Sequence, residues 1–111
     1  MSDITVANTI YQQLGAGRFT AMTGAKNFVY DDNSLRMTLP KNMSKANRLT
    51  ITLNWDDTYT MRFWKYTAGR LNKKTFEWIP EKITEIKEIN GVYCDMLQEI
   101  FTDTTGMYTR L

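Results

Sequence analysis

The sequence predicts an α+β fold: an antiparallel meander sheet of four to five strands, with N- and C-terminal helices packed on one face. Three observations lead there. Apolar residues recur at helical spacing near both ends, Val6, Ile10 and Leu14 at one and Leu97, Ile100 and Phe101 at the other. Between them, runs such as Leu49, Ile51 and Leu53 alternate with polar residues at the period of a strand. The clusters Asp31-Asp32-Asn33-Ser34 and Trp55-Asp56-Asp57-Thr58 punctuate those runs as turns.

Each element follows in order. The first helix covers residues 4–14, with Asp3 or Thr5 as its cap and Gly15 in the left-handed position after its end. Strand-like pieces follow at 18–22 and, after a Thr23-Gly24 break, at 27–30. Leu35, Met37 and Leu39 alternate with Arg36 and Thr38 until Pro40 stops the strand, and 41–47 is a polar loop. The run at 48–54 is the clearest strand. It forms a hairpin with the run that starts at Tyr59, Met61 and Phe63, closed over a four-residue turn. A second polar, basic loop spans 68–75. Residues 81–89 read as a bulged strand, a helix opened by Pro80 being the other reading. The last helix is capped by Asn90, carries Tyr93, Leu97, Ile100 and Phe101 on its stripe, and ends at Gly106.

At 111 residues the chain makes a single domain, 1–111. A domain of this size hides about two-thirds of its unfolded surface, enough for a core without metal or disulfide staples. No apolar run approaches the ~20 residues of a membrane span. The N-terminus lacks the basic-then-apolar pattern of a signal peptide. One cysteine, Cys94, cannot form an internal disulfide, which fits a reducing cytoplasm. Charge is uneven. Residues 1–75 carry 11 Lys/Arg against 5 Asp/Glu, and residues 76–111 carry 3 against 7. Either the two halves attract each other, within the fold or across a dimer, or the first half offers a basic face to nucleic acid. The pI of about 8.7 is below that of a dedicated nucleic-acid binder.

The residue inventory excludes much chemistry. Without histidine there is no Ser-His-Asp arrangement, and the commonest general base and zinc ligand are missing. Cys94, beside Asp95, reads as a core or half-buried helical residue rather than a nucleophile. Gly17 and Gly24 invite comparison with a phosphate-binding loop, but six residues separate them and Lys26 is followed by Asn27 instead of Ser or Thr. Gly15, Gly17 and Gly24 read as corner and bend residues, the alternative being an anion-binding nest of amides near 23–26. Asp31-Asp32 and Asp56-Asp57 read as turn chemistry. The expectation is no enzyme, no metal, no cofactor and no membrane partner.

Tyr59, Arg62, Trp64, Lys65 and Tyr66 share one strand, with Arg48 on its neighbour. If Met61 and Phe63 face the helices, Arg62, Trp64 and Tyr66 face outward. Such a stripe suits a protein contact, because Trp, Tyr and Arg dominate binding hot spots. It also suits single-stranded nucleic acid, whose bases stack on rings while cations follow phosphates, or a homodimer that covers the open sheet.

Several segments resemble a family of small uncharacterised proteins encoded in bacteriophages and other mobile elements of bacteria. The likeness is carried by Asn8-Thr9-Ile10, Gln12-Gln13-Leu14-Gly15, Arg18-Phe19, Ala21-Met22-Thr23-Gly24-Ala25-Lys26-Asn27, Leu35-Arg36-Met37-Thr38-Leu39-Pro40 and Thr50-Ile51-Thr52-Leu53-Asn54. It continues through Gly91-Val92-Tyr93-Cys94-Asp95-Met96-Leu97, Ile100-Phe101 and Thr105-Gly106-Met107-Tyr108, and so covers nearly the whole chain. The stretch from 64 to 81 is longer and more divergent than that family's. The family has no established activity, so the resemblance implies a setting and no site: an accessory protein in the cytoplasm of a bacterial host, of a kind that often binds a host enzyme or defence complex. The expected function is therefore non-enzymatic binding of a host protein, or of a second copy. The expected surface is Arg48, Arg62, Trp64 and Tyr66 together with the Arg18–Lys26 corner. Nucleic-acid binding by the same surface is the rival expectation.

Overall fold

The N-terminal stripe folds as its spacing requires. In the computed structural model, which describes residues 4–107 and 109, α1 spans Thr5–Leu14 and buries Ala7, Ile10 and Leu14. Ile4 occupies the N-cap position and makes no side-chain cap bond. Asp3, the other expected cap, lies outside the described residues. Gly15 stops the helix with φ 118°, a backbone that L side chains rarely adopt, and its N–H turns back to the Gln12 carbonyl at 3.1 Å.

The next segment corrects the sequence reading. Residues 16–23 are not strand; they form α2 (Ala16–Thr23), which begins directly from Gly15. Arg18, Ala21 and Met22 favour helix, and Phe19 and Thr23, four apart, make its buried edge. Its two threonines bond backward along the helix, Thr20 Oγ1 to the Ala16 carbonyl at 3.4 Å and Thr23 Oγ1 to the Phe19 carbonyl at 2.7 Å.

The sheet is an antiparallel meander of β1 (Lys26–Tyr30), β2 (Ser34–Thr38), β3 (Arg48–Leu53) and β4 (Tyr59–Thr67). It is completed on the β4 side by β7 (Lys82–Val92). The segment with two readings is thus a strand, and its pairing with β4 is irregular at two places. Residues 68–81 are more than a loop: β5 (Arg70–Asn72) and β6 (Glu77–Ile79) form their own antiparallel pair. Asn90 does not cap the last helix. It lies in β7, where its Oδ1 accepts from Thr60 Oγ1 at 2.8 Å. A 3₁₀ turn at Cys94–Met96 intervenes before α3 (Leu97–Thr105), which Gly106 ends in the left-handed conformation.

The helices cover one sheet face, as an α+β two-layer domain demands. Leu35, Met37, Leu49, Ile51, Met61 and Phe63 meet Ile10, Leu14, Phe19, Leu97 and Phe101 in one buried cluster. Its centre is aromatic. Phe101 stands edge-on to Phe19 at 5.0 Å between centroids and lies 6.4 Å from Phe63. Gln98 Nε2 donates to the Gln13 carbonyl at 3.1 Å and ties α3 to α1. Among the described residues no helix is long and apolar enough to cross a membrane.

The radius of gyration is 15.4 Å and the long axis 50 Å, against roughly 13 Å for a compact domain of about this length. The excess has a visible source. β4 and β7 run past the helices, and β5 and β6 extend that ribbon as an arm on which every residue from 73 to 83 is exposed.

Replacing Phe101, fully buried between two layers, by Ala is expected to cost about 3–5 kcal/mol of unfolding free energy. Urea titration followed by circular dichroism measures it; a loss below about 1 kcal/mol would remove Phe101 from the centre of the core.

Candidate functional site

Alternation sends every second side chain of β2, β3 and β4 away from the helices. Register then makes neighbours of them. Arg36 lies opposite Thr50 and Thr50 opposite Arg62, while one row along Thr38 lies opposite Arg48 and Arg48 opposite Trp64. Tyr66 faces Ile83 across the β4–β7 ladder. Two adjoining hollows of about 410 and 480 Å³ lie on this face, and Val29, Arg36, Trp64 and Ile83 line both.

Trp64 is on the expected face but is not displayed. It is only 7% exposed. Its Nε1 donates to Thr50 Oγ1 at 3.1 Å, and the Arg62 guanidinium sits 5.4 Å from the ring centroid. Arg62 Nε in turn donates to Glu85 Oε1 at 2.7 Å. Trp64 is a floor covered by an arginine, so its expected role as an exposed contact ring is corrected. Arg48 stacks over Tyr66 at 5.4 Å and donates from Nη1 to the Asn47 carbonyl at 3.0 Å. Tyr66 Oη donates to Glu81 Oε2 at 2.7 Å; that bond, and then the carboxylate's charge, raise the tyrosine's pKa above its ordinary value. The Asn47 side chain brackets the Tyr66 backbone, accepting from its N–H at 2.7 Å and donating to its carbonyl at 2.8 Å.

The other expected residues do not join this group. Arg18 is exposed on α2, in the helix layer, because 16–23 is helix. Lys26 is exposed at the start of β1, opposite Thr38, at the margin of the open face. The amides near 23–26 form no anion nest: the Gly24 N–H bonds the Thr20 carbonyl at 2.9 Å and the Ala25 N–H bonds Thr23 Oγ1 at 3.2 Å. Both acidic pairs serve turns as expected. Asp31 Oδ1 accepts from the Asn33 N–H at 3.0 Å and Asp56 Oδ1 from the Thr58 hydroxyl at 2.7 Å, and these bonds hold both carboxyls below their ordinary pKa. Cys94 is exposed, not core, because the buried stripe of α3 starts only at Leu97. Among the described residues no three His, Cys, Asp or Glu gather as metal ligands.

The arm is what the sequence reading missed. Phe76 is 80% exposed, Trp78 66% and Leu71 51%. Leu71 stands opposite Trp78 in the β5–β6 pair. Gly69 lets the Trp78 ring lie against the backbone at the arm's root: a Cβ there would fall 2.7 Å from Trp78 Cζ2. The available signal was the turn around Lys73-Lys74 flanked by short runs. Asn72 makes that turn, its Oδ1 accepting from the Lys74 N–H at 3.0 Å and its carbonyl from the Phe76 N–H at 2.7 Å.

No protein-family model, no curated protein and no solved structure matches the chain. The open face and the arm are the features of the fold that bear on function.

Two measurements check this geometry. In a Trp55→Phe/Trp78→Phe variant the remaining tryptophan, Trp64, is expected to emit at short wavelength and resist acrylamide. Quenching as strong as that of a free indole would place it in solvent. The Arg62 bond lowers the Glu85 pKa from its ordinary value of 4.5. A carboxyl lowered in the folded state adds stability above its unfolded pKa and loses it as pH falls toward the folded one. The difference in Tm between the protein and Glu85→Gln is therefore expected to be small near neutrality, since the pair is exposed, and to shrink as pH drops below 4.5. A difference that grows in acid would contradict the pairing.

Proposed function

We propose that this is a non-enzymatic binding protein that engages a host protein of a bacterial cell as a phage or mobile-element accessory factor. The observation that carries the reading is the arm. Leu71, Phe76 and Trp78 are large, apolar and exposed together on a projecting hairpin. Folding gains nothing from that exposure, whereas association would bury it. Trp is also among the residues that anchor interfaces most strongly. The absence of histidine in the sequence supports a role without acid–base chemistry, and the motif resemblance supports the mobile-element setting. Inhibition of a host defence complex is one activity such binding would give.

A second reading has its own support. Arg70, Lys73 and Lys74 share the arm with Phe76 and Trp78, and rings interleaved with cations suit single-stranded nucleic acid. Salt separates the two, because phosphate contacts weaken steeply with ionic strength and an apolar contact does not.

The test is capture from a bacterial lysate on the immobilised protein, with nuclease and in stepped salt. A host protein is expected to survive nuclease and moderate salt. It is expected to be lost with Phe76→Ser/Trp78→Ser while Tm is unchanged. Capture that depends on nucleic acid, or that ignores the arm variant, would reject the proposal.

A further inference from the structure

The open face holds a charge problem that the fold does not solve. Arg48 is the diagonal neighbour of both Arg36 and Arg62 on the flanking strands, a spacing of about 7–8 Å on one sheet face. Diagonal neighbours at that distance are within reach of long side chains, and like charges there repel. Among the described residues only Arg62 of the three has an acidic partner, Glu85. Arg36 is exposed on the wall shared by both hollows. Arg48 and Arg62 are braced on the rings of Tyr66 and Trp64, which fixes their guanidinium planes while leaving donors free.

We propose that Arg36, Arg48 and Arg62 form an anion-binding site on the open sheet face, and that its occupant is an extended acidic segment of the partner protein. The site rests on the protein-binding reading above and names what the partner must carry. Guanidinium forks bind carboxylates bidentately. Alternate side chains of an extended chain stand about 6.6–7 Å apart, so carboxylates two residues apart match Arg48 and either diagonal neighbour. A nucleic-acid strand fits less well. The ring faces it would stack on are occupied by Arg62 and Arg48.

The test titrates the intact protein at low salt with a twelve-residue peptide of alternating Glu and Thr, an alternating Lys/Thr peptide, a twelve-nucleotide thymidine strand and inorganic phosphate. The Glu/Thr peptide is expected to bind, and to bind at least tenfold more weakly to Arg36→Thr and Arg48→Thr. Arg36→Lys, which keeps the charge without the fork, is expected to fall between. Because removing Arg36 relieves repulsion, the Tm of Arg36→Thr is expected to equal or exceed that of the protein, so lost binding cannot be lost folding. The idea is overturned if the Glu/Thr peptide fails to bind at millimolar concentration, if Arg36→Thr binds it equally well, or if the thymidine strand or phosphate binds these arginines more tightly. Peptide binding lost while arm-dependent capture persists rejects this site alone. Capture that ignores the arm, with peptide binding intact, rejects only the broader reading.

Discussion

Three phenyl rings hold the two layers together, and most of the architecture depends on their meeting. Phe19 reaches the junction only because α2 starts at once from Gly15, and Phe101 only because α3 runs back over the sheet to Phe63. Each ring buried there removes apolar surface worth about 1.5–3 kcal/mol. The junction also limits the cover. The helices sit over the stretch of β4 that holds Met61 and Phe63, while Lys65 and Thr67 beyond it are exposed. What lies past the helices has to be stabilised by the ribbon itself.

That limit explains the treatment of Trp64. It is the first β4 residue beyond Phe63, and its side chain falls on the face that no helix covers. A bare indole there would leave a wide apolar surface in water. The chain covers it with Arg62, which Glu85 holds in place across the sheet. Tyr66 receives the same treatment from Arg48, with Glu81 on its hydroxyl. The open face is therefore a set of ring–guanidinium pairs pinned from the β7 side. β7 matters for this pinning more than for the core: Val92 is its one buried residue.

Periodicity made much of this legible. The alternation at Leu35, Met37 and Leu39 and at Leu49, Ile51 and Leu53 gave β2, β3 and the core-facing side of the sheet. The stripe of Ile10 and Leu14 gave α1. α2 was hidden because one glycine both ends α1 and begins α2, so no polar spacer announces a second helix, and three nearby glycines read as loop. Asn90 resembled a cap because its use is non-local: Thr60, thirty residues away, holds it in the strand. β5 and β6 are three residues each, too short to show a period. For Trp64, alternation gave the face but not the depth, since depth depends on the β7 register that brings Glu85 to Arg62. Of the expected contact residues, Arg48, Arg62 and Tyr66 do meet on one face, Arg18 belongs to the helix layer and Lys26 to the margin.

The exposed arm gains its meaning from contrast with the edge beside it. β7 is an eleven-residue edge strand, long enough to recruit another chain by backbone pairing. It carries Lys82, Glu85, Lys87 and Glu88 along its length, the kind of charge that keeps natural edges from pairing. The same sequence leaves Phe76 and Trp78 uncovered a few residues earlier, on a hairpin with no share in the core. Burial does not require those rings, and the turn at Asn72 needs only its own polar atoms. In the binding role proposed above, a partner surface would cover these rings, and the arginines of the open sheet face would supply a separate, polar contact.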